Sequence, residues 1–149
     1  MSEKFGTDRH RPSGAWAPAT AVVELGWLDE QREEAEAFSK AVRKAERQGL
    51  QYGVTLIPEP NNIYDQNAIA VQGFADHRGW WGKGRRRIYD VGYLDLFTSH
   101  QINTNIIFRG AKIAAELHSV EVSRGALSIK VVVLAPTGYQ HSLGLARRA

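Results

Sequence analysis

The sequence predicts a small, mostly β (α+β) domain, in which six short strands curl into a barrel and two helices pack against it. Two observations lead to this class. Short runs of alternating or continuous apolar residues, each bounded by Gly, Pro or Asn, recur along the chain. Only two stretches break that pattern with helical signals, one after the first strand and one before the last hairpin. Strands this short bury enough apolar surface most easily when their sheet closes on itself.

Taken in order, residues 1–19 mix charge with Gly and Pro, lack periodicity, and read as a flexible arm. The folded domain spans 20–136. Its first strand is Ala21–Trp27, closing at Gly26. Ala35, Phe38, Val42 and Ala45 then fall at helical spacing, with Asp29 as the expected N-cap and Gly49 placed to end the helix. Acidic residues lead in this helix and basic residues follow, which suits the helix dipole and reads as a solvated face. Leu50–Pro58 alternates as a second strand, and Ala68–Val71 is a third. Gly73–Arg87 is expected to be an irregular connection, and Ile88–Leu94 a fourth strand. A short helix follows over Asp95–Ile106. Lys112–Val122 and Ala126–Leu134 form a hairpin across Ser123-Arg124-Gly125, and Pro136 ends the sheet. Residues 137–149 read as a loose tail.

Composition narrows the function classes. The 149 residues are 43% hydrophobic, enough for one core, and carry a formal charge of +3, compatible with nucleic acid. With no cysteine, thiolate metal sites, disulfides and cysteine nucleophiles are excluded. No apolar run approaches membrane-spanning length and no signal peptide is visible, so a cytoplasmic protein is expected, with nucleoid association compatible and no membrane partner. The histidines (His10, His77, His100, His118, His141) are scattered without ligand spacing, and neither a GxSxG elbow nor a Walker A loop is present. No enzyme activity, metal or cofactor is expected.

Two stretches offer binding chemistry. In Glu59–Val71, EPNNIYDQNAIAV, the turn residues Pro60, Asn61 and Asn62 lead through Tyr64, Asp65 and Asn67 into a strand. A loop held by a strand is well suited to presenting polar groups. Tyr64 sets a ring beside a carboxylate. Because an aspartate repels phosphate, Asp65 is better matched to a sugar hydroxyl, which a strand terminus supplies. The second stretch interleaves rings with cations: Trp80, Trp81, Lys83, Arg85, Arg86, Arg87 and Tyr89. Aromatic faces stack on unpaired bases and cations neutralise phosphates. The bland alternative is a solvated loop whose tryptophans fold back on the core.

The Glu59–Val71 run, followed by Val91-Gly92-Tyr93-Leu94, resembles the HIRAN domain, in which a REPxNPYDxNAIxV segment precedes an [IV]G[YH]L element, a short helix and two strands. The similar order of elements covers roughly 20–136. The resemblance implies an OB-like (or SH3-like) barrel that binds single-stranded DNA at its 3′-hydroxyl end, in DNA repair or replication, with a helicase or nuclease as protein partner. Carried over, Tyr64 stacks on the terminal base, Asp65 accepts from the 3′-hydroxyl, and Asn62 lies near the phosphate path. Tyr93 takes the place of a strand-end histidine that contacts the backbone. Pro60, Asn61 and Asn67 structure the loop.

The chain departs from the pattern at Pro58 (usually arginine), Ile63 (usually proline), Val23 (a second stacking tyrosine) and Leu96 (a phosphate-binding lysine). The basic stretch Trp80–Arg87 is a possible compensation. Two other classes stay open: a protein-interaction or accessory domain that lost end recognition, and a metal-dependent hydrolase with Asp65 as ligand.

Overall fold

The structure, a computed structural model, describes residues 2–8, 10–27, 29–79 and 84–138. Its elements are β1 (Ser2–Phe5), β2 (Trp16–Pro18), β3 (Val23–Glu24), α1 (Arg32–Gln48), β4 (Tyr52–Pro58), β5 (Ile69–Arg78), β6 (Gly84–Tyr93), α2 (Leu96–Asn105), β7 (Ala114–Ser123) and β8 (Ala126–Pro136). The eight strands among these residues form two antiparallel sheets. One runs β1-β7-β8-β2, with β3 also on β8, and the other runs β4-β5-β6. A single bridge joins them, in which Gly26 and Tyr93 exchange backbone hydrogen bonds of 3.1 and 2.7 Å. On the opposite side β4 lies beside β7 without a ladder.

The expected count of six strands was low because the N-terminal segment is not a free arm. Ser2–Phe5 pairs with Val120–Ser123, and Phe5 is buried under the Arg43 guanidinium, 4.7 Å from its ring centroid. Trp16–Pro18 pairs with Leu134–Pro136. Arg11 reaches the carboxylate of Glu116 at 2.7 Å, and Glu116 is only 4% exposed. Ladder hydrogen bonds, one buried ring and an ion pair hold a stretch whose composition alone suggested mobility. The expected first strand is correspondingly shorter. Between β2 and β3 the Thr20 hydroxyl donates to Ala21 O at 2.7 Å and accepts from Val133 N at 3.1 Å, replacing a ladder bond where the chain steps.

α1 forms where the apolar spacing places it. Ala35, Phe38, Ala41, Val42 and Ala45 are buried against β4, β5 and β6. Gly49 ends it at φ 69°, and Leu50 N returns to Ala45 O at 2.8 Å. Asp29 does not cap α1 but opens a 3-10 turn, Asp29–Gln31, ahead of it. α2 starts at a true cap: Asp95 accepts from Thr98 N at 2.8 Å and from Thr98 Oγ1 at 2.7 Å.

The largest correction concerns Gly73–Arg87, expected as an irregular connection. β5 and β6 pair from Ala70↔Tyr93 to Arg78↔Gly84, with one bulge between Val71 and Gln72. Gly73 is a strand residue whose missing Cβ makes room for Phe38: a Cβ there would lie 2.4 Å from that ring. Trp80, Trp81 and Lys83 lie outside the described residues, as do residues 139–149 of the expected tail. The main core is a cluster shared by both sheets and α1 that includes Phe38, Tyr52, Ile69, Leu117 and Ile129, and Ala19, Ile106 and Ala135 form a second, small one. Among the described residues no helix is long and apolar enough to cross a membrane.

Candidate functional site

The loop between β4 and β5 is held by its own side chains. Asn62 Oδ1 accepts from Tyr64 N at 2.9 Å and from Asp65 N at 3.1 Å, while Asn62 Nδ2 donates to Glu59 Oε1 at 2.9 Å. Asp65 Oδ1 accepts from Asn67 N at 2.9 Å, and Ala68 N donates to Asp65 O at 3.1 Å. These are the side-chain-to-backbone turns that Asn and Asp favour. Pro60 and Asn61, expected to structure the loop, are exposed at its start, where the chain turns at Pro60-Asn61 and Asn62 N donates to Glu59 O at 3.0 Å.

Two neighbouring elements pin this loop. From β6, Tyr93 Oη donates to Glu59 Oε1 at 3.1 Å, so one carboxylate oxygen gathers Asn62 and Tyr93. Burial, then the hydrogen bond and the charge of Glu59, raise the Tyr93 phenol above its ordinary value. From α2, the buried Asn103 donates through Nδ2 to Asn67 O and to Ser99 O, both at 2.9 Å. Asn67 Nδ2 also lies 3.2 Å from His100 Nδ1.

What the loop leaves outward is Tyr64, 92% exposed, with Ile63 beside it. Exposed Leu96 and Phe97 stand at the start of α2. Tyr64 and Asp65 form the ridge between two grooves. One, of about 700 Å³, is lined by Gly26, Trp27, Glu30, Tyr93, Leu94 and Leu96 as well as Asn62, Tyr64, Asp65 and Ala68. The other, of about 660 Å³, is lined by Tyr64, Asp65, Asn67, Leu96, Phe97 and His100. Neither groove has a Lys or Arg in its lining, and the first carries the carboxylates of Glu30 and Asp65. Such a surface offers apolar faces and hydrogen-bond acceptors rather than phosphate neutralisation.

The sequence-derived residues therefore divide. Tyr64, Asp65 and Tyr93 meet at one cleft. Asn62, assigned to the phosphate path, has both ends of its amide engaged within the loop. Tyr93 lines the cleft, but its hydroxyl is held by Glu59 instead of being presented outward. Arg85, Arg86 and Arg87 lie far away. Arg85 is opposite His77 in the hairpin, eight ladder positions beyond Ile69, which at ~3.3 Å per residue is about 26 Å from the loop. Arg86 faces away from α1, bonded to Asp76 at 2.8 Å and stacked 4.2 Å from the Phe74 centroid. Arg87 is on the α1 side, 6.0 Å from the centroid of Tyr89. These three arginines do not complete the Tyr64 site.

Sequence reasoning passed over Glu59, Trp27, Phe97 and Asn103. The first lay within the quoted motif, where its link to Tyr93 is invisible without the strand register. The others are brought in by α2 and by the Gly26–Tyr93 bridge. Among the described residues no group of three or more His, Asp or Glu side chains is placed to hold a metal ion. No family model, curated protein or solved structure matches the chain.

Proposed function

We propose that the chain is a HIRAN-like recognition module, built on an OB-like closure of its two sheets, that captures the 3′-terminal nucleotide of single-stranded DNA without catalysis of its own. The observation that carries the reading is the fully presented Tyr64 ring next to Asp65, on a loop fixed by Asn62, Glu59 and Asn103. The ring is a stacking platform worth roughly 1–3 kcal/mol for a base. Asp65 accepts from the sugar hydroxyl, an interaction an acidic cleft favours and a terminal phosphate would oppose. The Gly26–Tyr93 bridge supports the barrel-like closure. Such a module would serve a helicase or nuclease in DNA repair or replication.

Fluorescence anisotropy with matched 3′-hydroxyl, 3′-phosphate, blunt and RNA oligonucleotides tests this. Binding should weaken on 3′-phosphorylation and in Tyr64→Ala, and Asp65→Ala should abolish the preference for the free hydroxyl. Equal affinity for free and blocked ends rejects it. One observation favours a second reading as a protein-interaction module: Ile63, Leu96 and Phe97 are exposed around Tyr64, and no Lys or Arg lines the grooves. Absence of binding to every oligonucleotide in the set selects that reading.

A further inference from the structure

The helix α1 lies along the β5–β6 hairpin, and apart from Arg32 and Glu46 its charges are sorted by end. Its approach carries Glu30 into the Tyr64 groove, and Glu34 Oε1 lies 3.4 Å from Asp90 N in β6. Toward its C-terminus come Lys40, Lys44 and Arg47, all exposed. The hairpin is sorted the same way. Gly73 and Tyr89 face α1, since a Cβ on Gly73 would strike Phe38 and the Tyr89 and Phe38 rings are 5.8 Å apart. Strand alternation then puts Ala75, His77, Arg85 and Arg87 on the α1 side and Asp76 with Arg86 on the other. Asp76, on the far face, pairs with Arg86 at 2.8 Å, so part of its charge is met there. Burial first, and then the charges of Lys44 and Arg87, lower the His77 pKa, against a smaller opposing pull from Asp76.

We infer that the flank of α1 and the far half of β6, with Lys44, Arg85 and Arg87, form a second contact surface that binds the phosphates of the strand whose end sits at Tyr64. This rests on the end-capture reading and adds a footprint and a direction to it. From Tyr93 to Arg87 and Arg85 the ladder advances five and seven positions, the bulge taking up one residue, about 17 and 24 Å at ~3.4 Å each. At the stacked spacing of ~3.4 Å per nucleotide this corresponds to roughly five to seven nucleotides. The acidic end of the track disfavours phosphate and the basic end attracts it. A bound strand therefore lies with its hydroxyl terminus in the Tyr64 groove and its phosphate-rich body toward Arg85. The separation of the cations from the stacking loop becomes a property of the site.

The test uses the full chain, a double variant Arg85→Ala/Arg87→Ala, and Tyr64→Ala, each checked for an unchanged melting temperature. The probes are a thymidine dinucleotide, too short to span the track, and a thymidine 12-mer, both with free 3′-hydroxyls. The double variant should bind the 12-mer about tenfold more weakly at 0.1 M salt. Its plot of log affinity against log salt should be shallower by about 1.4, the ~0.7 per phosphate contact of single strands taken twice. Dinucleotide affinity should not change. Wild-type 12-mer affinity and salt slope in the double variant overturn the proposal, as does an equal loss for both probes. Should Tyr64→Ala leave both probes unaffected while the double variant still weakens the 12-mer, end capture fails and the basic surface stands.

Discussion

Asn62→Ala isolates the value of a loop held ready for its ligand. Inside the Glu59 N to Ala68 O bond of 2.9 Å, which continues the β4–β5 ladder and survives when the loop opens, six hydrogen bonds fix the loop. Three belong to the Asn62 side chain, and the others are Asn62 N to Glu59 O, Asn67 N to Asp65 Oδ1 and Ala68 N to Asp65 O. At about 1 kcal/mol each, against about 1 kcal/mol of backbone entropy for each of the four residues 63–66, the pinned loop is favoured by about 2 kcal/mol. It is then populated at roughly 97%. Removing the amide withdraws about 3 kcal/mol, reverses the balance to about 1 kcal/mol unfavourable, and drops the pinned population to roughly 15%. Affinity for a 3′-hydroxyl oligonucleotide should fall about sixfold. Global stability should fall by no more than about 2 kcal/mol, because the loop melts locally once its advantage is gone. Anisotropy titration measures the first quantity, and amide hydrogen exchange at Tyr64 and Asp65 measures the loop opening directly. Faster exchange at both amides with affinity inside twofold of wild type would refute the claim that the pinned geometry matters to binding. Unchanged exchange would refute the hydrogen-bond account of the loop itself.

Two further expectations follow from the walls of the same cleft. Gly92 sits at φ +143°, and a Cβ there would lie 2.3 Å from Gly26 O; Gly92→Ala should therefore break the bridge between the sheets and cost about 2–4 kcal/mol, read as a lowered denaturant midpoint. The Tyr93 phenol is raised in the fold by burial and by Glu59, so its contribution to stability is whole below the unfolded value of about 10 and is lost as pH rises through the folded value. Denaturant midpoints taken upward from about pH 9 should fall, and Tyr93→Phe should flatten part of that fall; an identical profile in the variant would contradict the placement of this group.

Much of the secondary structure was legible because local rules and tertiary packing agree there. α1 follows its apolar spacing and its closing glycine, and α2 starts at the aspartate that caps it. The last hairpin turns where Arg124 and Gly125 both take positive φ. The sequence misled where packing supplied what composition did not. In Ser2–Phe5 one buried ring and a neighbouring strand order a charged segment. In Gly73–Arg87 the far half of the hairpin has polar residues on both faces, so the alternation that marks a half-buried strand is absent, and its glycine accommodates Phe38 in place of making a turn. At the site, the proximity of Tyr64 and Asp65 was readable from adjacency. The remoteness of Arg85 was not, because only the register reveals that the intervening residues run straight away from the loop. The engagement of Asn62 is likewise a matter of three distances that no spacing encodes.

Asn103 has a consequence for how the molecule deforms. Its single amide nitrogen bonds both the backbone of the β4–β5 loop and the preceding turn of its own helix. Loop and helix are therefore tied at a buried point, and neither can shift without the other or without stranding a polar group away from water. The Tyr64 ridge and the Leu96–Phe97 edge should open, close and exchange as one cooperative unit, while the distal end of the β5–β6 hairpin has no such tether to it. Lengthening the chain near Arg78 should leave the Tyr64 ridge in place; a single residue inserted between Asn62 and Asn67 should dismantle it and loosen α2 at Asn103 together.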